Sequence, residues 1–112
     1  MVTDQIDRDF QTFRQGRDPA ALAAVFDAAA PRLLLVAMHL CRDAATAEDL
    51  VQTVFLQVLR DADRFDPRRP VLPWLLAMLE HRASDLRQRA HVRREQPADP
   101  SAVAGEIGRA HV

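Results

Sequence analysis

Residues 46–66 read TAEDLVQTVFLQVLRDADRFD, and the fold class follows from the periodicity of that stretch. Apolar side chains recur at Leu50, Val51, Val54, Phe55, Val58 and Leu59, the spacing of one buried helical face. Thr46 followed by Asp49 is a helix-start signal close to a capping box. At roughly 100° per residue, the opposite face carries Asp49, Gln52, Thr53, Leu56 and Arg60. Leu56 is an aliphatic side chain in the middle of a polar stripe. Such a stripe fits an ordinary solvated face, on which one leucine is normal. It also fits a docking surface with a small apolar centre.

Upstream of this helix, residues 4–15 place Ile6, Phe10 and Phe13 on one side of a short amphipathic helix that Gly16 stops. Asp18-Pro19 is a cap followed by proline at the first helical position. The next helix carries Leu22, Val25, Phe26 and Ala29 on one face, and Pro31 is expected to interrupt it or to start the next one. Residues 32–41 are apolar nearly all round (Leu33, Leu34, Leu35, Val36, Met38, Leu40), which predicts the buried centre of a bundle. Arg42 and Asp43 form the turn into the organising helix. That helix ends near Asp63, ahead of RFDPRRP, a stiff proline-punctuated loop over residues 64–70. Pro73 is expected to open the last helix, running from Trp74 to about residue 94, with a core stripe of Leu75, Leu79, Ala83, Leu86 and Ala90. Its far side carries Trp74, Met78, His81, Asp85, Gln88 and Arg89, with Arg82 at the edge. No strand pattern or internal repeat is present, so the class is all-α: a compact bundle of about four to five helices.

The chain has 112 residues and a formal net charge of −1, enough for one domain with a modest core. The charge is unevenly placed. Residues 1–66 hold 7 Arg against 11 acids, while residues 68–94 hold 7 Arg against 2. A basic segment on a weakly acidic chain is a candidate nucleic-acid footprint, or else a helix end whose arginines complement the dipole. An aromatic, a histidine and arginines opposite a core face suit single strands, because bases stack on the ring while guanidinium groups hold phosphate. Trp74 packing beneath the preceding loop is the other reading. The single Cys41 excludes an internal disulfide and fits a reducing cytoplasm. No run of eighteen apolar residues and no signal-peptide pattern is present, which predicts a soluble protein with no membrane partner.

Enzyme chemistry finds no constellation. The 3 glycines form no phosphate loop. His39 and Cys41 point to different faces of an apolar helix and do not predict a metal site. Glu48-Asp49 and Glu80-His81 are adjacent pairs whose side chains diverge, so they make no acid/base dyad. Cys41 has no nearby base. The sequence predicts neither catalysis nor a cofactor.

Taken in order, AEDLVQTVF, RFDP, WLL and the Asp85 and Arg87 pair resemble region 2 of bacterial sigma-70-family RNA polymerase sigma factors, in the extracytoplasmic-function (ECF) group. The resemblance covers most of the chain from DPAALAAVF to LRQR. It implies a helical region 2 that docks on the clamp helices of the polymerase β′ subunit through the opening helix. Asp49 and Gln52 match its polar contacts, and Thr53, Leu56 and Arg60 share that face. It further implies that residues 65–72 and the helix from Trp74 recognise and melt the promoter −10 element by holding a flipped base of the non-template strand. The DNA-binding set would be Arg68, Arg69, Trp74, Met78, His81, Arg82, Asp85, Gln88 and Arg89. An anti-sigma factor is a further implied partner, and the cytoplasm the implied location.

The chain departs from the family's pattern at several places. Thr53 stands where Glu is common and Gln57 where Arg is common, which softens the docking face. His81 replaces a frequent Asn near the base pocket, and Pro73 before Trp74 is unusual. On this reading residues 1–95 are the region 2 domain and residues 96–105 the start of a linker. Residues 106–112, EIGRAHV, match the translation of a common sequencing-adapter read and are expected to be non-native, truncating the chain before a region 4. The alternative is a stand-alone decoy or adaptor that binds polymerase or an anti-sigma factor without recognising a promoter.

Overall fold

The computed structural model describes the backbone of residues 2–95 and the side chains of residues 4–92; the expected linker and tail lie outside the described residues. Four α-helices follow one another: α1 (Val2–Gly16), α2 (Pro19–Cys41), α3 (Ala44–Asp61) and α4 (Val71–Glu95). A short 3-10 turn, Ala62–Arg64, extends α3 before the loop into α4. Among the described residues there is no strand, so the all-α bundle expected from the sequence is the observed architecture. Helix α2 packs against each of the other three.

The helix ends follow from local chemistry. Asp18 caps α2, its carboxylate accepting the Ala20 N–H at 3.0 Å, and Pro19 takes the first position, where a missing N–H costs nothing. Arg42 ends α2 in the left-handed conformation (φ 57°), donating its N–H to the Met38 carbonyl at 2.8 Å. Asp43 then caps α3 by accepting the Thr46 N–H at 2.9 Å and the Thr46 hydroxyl. The expected cap, Thr46, is therefore one turn inside the helix: the longer-reaching carboxylate of Asp43 captures its amide, and α3 begins at Ala44. These two hydrogen bonds from Thr46, side chain first, hold the Asp43 carboxyl below its ordinary value.

Two expectations for α2 are corrected. The helix runs through Pro31 without interruption. An interior proline costs about 3 kcal/mol, but Val25 and Ala29 before it and Leu33 and Ala37 after it lie in one core. Burial on both sides of the proline outweighs the lost backbone bond. Nor are residues 32–41 buried all round: only Leu33 and Ala37 are, while Leu35 is 72% exposed, because no other described helix covers the outer side. By length and composition alone α2 is apolar enough to cross a membrane; Asp27 and Arg32 conceal this from a search for an unbroken run. Of its side chains, Ala21, Val25, Ala29, Leu33 and Ala37 lie in the bundle core.

The core is apolar throughout, with no buried polar or charged side chain among the described residues. Helix α1 contributes Ile6, Phe10 and Phe13; α3 contributes Leu50, Val51, Val54, Phe55 and Val58; α4 contributes Val71, Leu75, Met78, Leu79 and Ala83. Leu59, expected in this stripe, is 48% exposed, because the α3 face that meets the bundle is narrower than its apolar stripe. Helix α4 begins at Val71 instead of Trp74, leaving Pro73 in the first turn, where its N–H would have no partner in any case. Leu86 is exposed and Ala90 half-buried, because this end of α4 is only partly covered by the other helices.

Two outcomes test this packing. Leu33→Ala should destabilise the domain by about 2–5 kcal/mol, whereas Leu35→Ala should stay within about 0.5 kcal/mol of wild type, both by urea unfolding. Asp43→Ala should lower the melting temperature at neutral pH. Because the folded-state pKa of Asp43 lies below its unfolded value, this contribution is present above the ordinary carboxylate range and is lost as pH falls through the folded pKa. The gap between wild type and Asp43→Ala should therefore close on acidification.

Candidate functional site

Two surfaces carry the residues expected to bind partners. The first is the outer side of α3, where Asp49, Gln52 and Arg60 are exposed and Leu56 is 64% exposed. Thr53 is half-buried and spends its hydroxyl locally, donating to the Asp49 carbonyl at 2.8 Å. Beside Leu56 lies an apolar groove of about 550 Å³ between α3 and the start of α2. Leu22, Phe26, Phe55 and Leu59 are among its lining residues. Phe26 and Phe55 meet edge to face in its wall, with ring centroids 4.2 Å apart. A second hollow continues along the same two helices past Phe26 and Gln52, rimmed by Asp27 and Glu48.

The first surface is thus an apolar trough, with Arg17 in the lining of its wider part and Asp27 and Glu48 beside its continuation, larger than the single-leucine patch read from the sequence. Its α2 half was not legible there, because Leu22 and Phe26 read simply as core. The available signal was Leu56 with Leu59, two leucines at i and i+3. Gln57 is turned away from this surface. It accepts a hydrogen bond from Arg82 Nε at 3.0 Å and donates to Asp61 at 3.4 Å.

The second surface is the loop over residues 65–70 with the outer side of α4. Asp66 organises the loop: its carboxylate accepts the Arg68 N–H at 3.0 Å and pairs with Arg68 Nε at 3.1 Å and Arg69 Nε at 3.8 Å. The Arg68 side chain, then its backbone N–H, holds the Asp66 carboxyl below its ordinary value despite partial desolvation, with Arg69 adding to the effect. Both guanidinium groups remain largely exposed.

On α4, His81, Gln88 and Arg89 are exposed, Asp85 is half-buried, and half-buried Arg82 is tied to Gln57. Met78 is only 8% exposed and belongs to the core, which corrects its expected place on the outer face. Trp74 is half-buried, its ring 4.8 Å from Phe65 and 5.6 Å from Phe10, so it does pack beneath the loop. The exposed positions in the first turns are Pro73, Ala77, Glu80 and His81, about one residue round the helix from the Trp74–Met78 line. The displacement has a physical cause: α1 delivers Phe10 against Trp74, a tertiary contact that periodicity does not encode. Among the described residues no three of His, Cys, Asp or Glu are grouped to hold a metal ion.

The Sigma-70 region 2 family model matches residues 25–96, which begins within α2 and leaves α1 outside. The chain is 35% identical over 99 residues to the RNA polymerase sigma factor CarQ of Myxococcus xanthus, covering 84% of this chain and 56% of CarQ. It is 37% identical over 71 residues to the ECF RNA polymerase sigma factor SigK of Mycobacterium tuberculosis, covering 62% of this chain and 38% of SigK. A SigK from Mycolicibacterium vanbaalenii is 35% identical over 99 residues, covering 88% and 47% of the two chains. The chain thus spans about half the length, or less, of these curated relatives. No solved structure matches it. On the helical bundle, the family match and these relatives together, the chain belongs to the sigma-70 region 2 family, as region 2 of an ECF sigma factor.

Proposed function

We propose that this chain is the part of a transcription initiation factor that docks on the β′ clamp helices of RNA polymerase through α3 and engages the −10 non-template strand through the 65–70 loop and α4. The observation that carries the reading is the division of the surface. Helix α3 presents an apolar trough, with Arg17 in its lining and Asp27 and Glu48 beside its continuation, which suits an amphipathic helical partner that lays an apolar face into it. The following loop presents Arg68 and Arg69 to solvent, which suits phosphate. The relatives named as RNA polymerase sigma factors support the same assignment, and a cytoplasmic location beside the polymerase follows from it.

In this mechanism Leu56 and Leu59 insert into the partner's apolar seam while Asp49 and Gln52 fix its register. Arg68 and Arg69 draw the DNA backbone, and His81 offers a hydrogen bond to an unstacked base. Unstacking costs of the order of a few kcal/mol, offset by stacking and hydrogen bonding in the complex. The second reading is a stand-alone decoy or adaptor that binds polymerase or an anti-sigma factor without engaging DNA; the inward packing of Trp74 and Met78 favours it.

Leu56→Asp should weaken binding to a β′ clamp-helix fragment by about tenfold or more without changing the melting temperature, and Asp49→Ala and Gln52→Ala should weaken it less; unchanged affinity in all three relocates the docking face. Binding to single-stranded −10 DNA should fall with salt. Replacing both Arg68 and Arg69 by Ala should flatten the log–log salt slope by about 0.7 per lost phosphate contact. A wild-type chain that binds the clamp fragment but no single strand identifies the adaptor.

A further inference from the structure

Helix α1 contributes only Phe13 to the groove beside Leu56, yet it braces the loop that leads into α4. Asp7, Phe10 and Arg14 lie at i, i+3 and i+7, one line along the helix. At the near end of the loop, Arg14 Nε donates to the Ala62 carbonyl at 2.9 Å, and its guanidinium lies 6.0 Å from the Phe65 ring centroid. In the middle, Phe10 packs edge-on to Phe65 at 5.3 Å and against Trp74 at 5.6 Å. At the far end, the Asp7 carboxylate accepts the Val71 N–H at 2.8 Å. Between these anchors the loop stands off from α1, leaving a cleft of about 320 Å³ past Gln11, Pro67 and Arg69.

The Asp7 contact answers a local deficiency. Helices open best behind Ser, Thr, Asp or Asn, whose side chains accept a first-turn N–H. Pro70, which precedes α4, has no side-chain acceptor, and the first turn of α4 contains no acidic residue. Asp7 supplies the acceptor from 64 positions away, and its negative charge faces the positive end of the α4 dipole. Seating that first turn fixes where the loop must end, and so where Arg68 and Arg69 stand relative to His81.

We propose that Asp7 is a positioning residue for single-strand binding: it caps α4 from outside and thereby sets the geometry of the basic loop. The inference rests on the nucleic-acid reading of that loop. Its test uses the wild-type chain, Asp7→Ala and Asp7→Asn, each titrated against a fluorescein-labelled mixed-sequence single-stranded DNA and, separately, a β′ clamp-helix fragment. Coulomb's law alone predicts that removing a carboxylate near phosphate tightens DNA binding in both variants. Positioning predicts the opposite for Asp7→Ala, a loss of about fivefold or more. It also predicts that Asp7→Asn, which keeps an acceptor, binds DNA at least as tightly as wild type. Clamp binding should be unchanged in all three.

Asp7→Ala binding DNA as well as wild type overturns the proposal alone. So does a parallel loss of both activities in Asp7→Ala, which marks a general stability role. Asp7→Asn failing on DNA to the same degree as Asp7→Ala also overturns it. A wild-type chain that binds the clamp fragment and no DNA overturns the underlying nucleic-acid reading, and the positioning role falls with it.

Discussion

One line of side chains on α2 sets the spacing of the whole domain. Ala21, Val25, Ala29, Leu33 and Ala37 recur every four residues and are all buried, so α1, α3 and α4 each close on the same helix. Three of the five are alanines, and small side chains at a helix contact permit close approach. The larger volume comes from the partners, from Phe10 and Phe13 on one side and Val54, Phe55 and Leu79 on the others. Widening this line moves three helices at once. It also explains why Pro31 is tolerated: the packing on its two sides is continuous, and the proline ring lies outside it.

The two candidate surfaces take their shape from this arrangement. Helix α3 turns one side to the bundle and leaves Leu56 and Leu59 to form a trough with the exposed flank of α2. Helix α4 sits where Gln57 of α3 reaches its Arg82, so a residue beside the proposed docking surface holds a guanidinium of the proposed DNA surface. Gln57, where the resemblance implies an arginine, is therefore engaged between helices. Substituting an arginine there would set two guanidinium groups against each other, a like-charge contact that the amide avoids.

What was legible in the sequence is what local chemistry controls. Ile6, Phe10 and Phe13, the Asp18-Pro19 cap and five of the six apolar positions of α3 lie where periodicity and capping put them. The errors arise where a neighbour decides. Leu35 and Leu59 are apolar but find no described helix over them, whereas Met78 and Trp74 lie on an apparently outer line, yet Met78 is buried in the core and Trp74 packs against Phe10 of α1. Asp43 displaced Thr46 as cap because two acceptors competed for one helix start and the earlier one reaches the Thr46 amide. For the surfaces, the outward residues of α3 could be read from the sequence, but the trough beside them needs two helices to exist. The bracing by Asp7 and Arg14 left no local trace, since each partner lies more than forty positions away.

That separation bears on how the domain is made. A chain emerges from the ribosome N-terminus first, so α1 is present long before Val71, with the Asp7 carboxylate still hydrated. Helices α2 and α3 can associate through near-sequence contacts, which form quickly because little loop entropy is lost. The arginine-bearing loop acquires its anchored form only when the start of α4 arrives to meet Asp7. A helix synthesised well before the loop thus completes it, and a nascent chain stalled before α4 would have α3 in place without an anchored 65–70 loop.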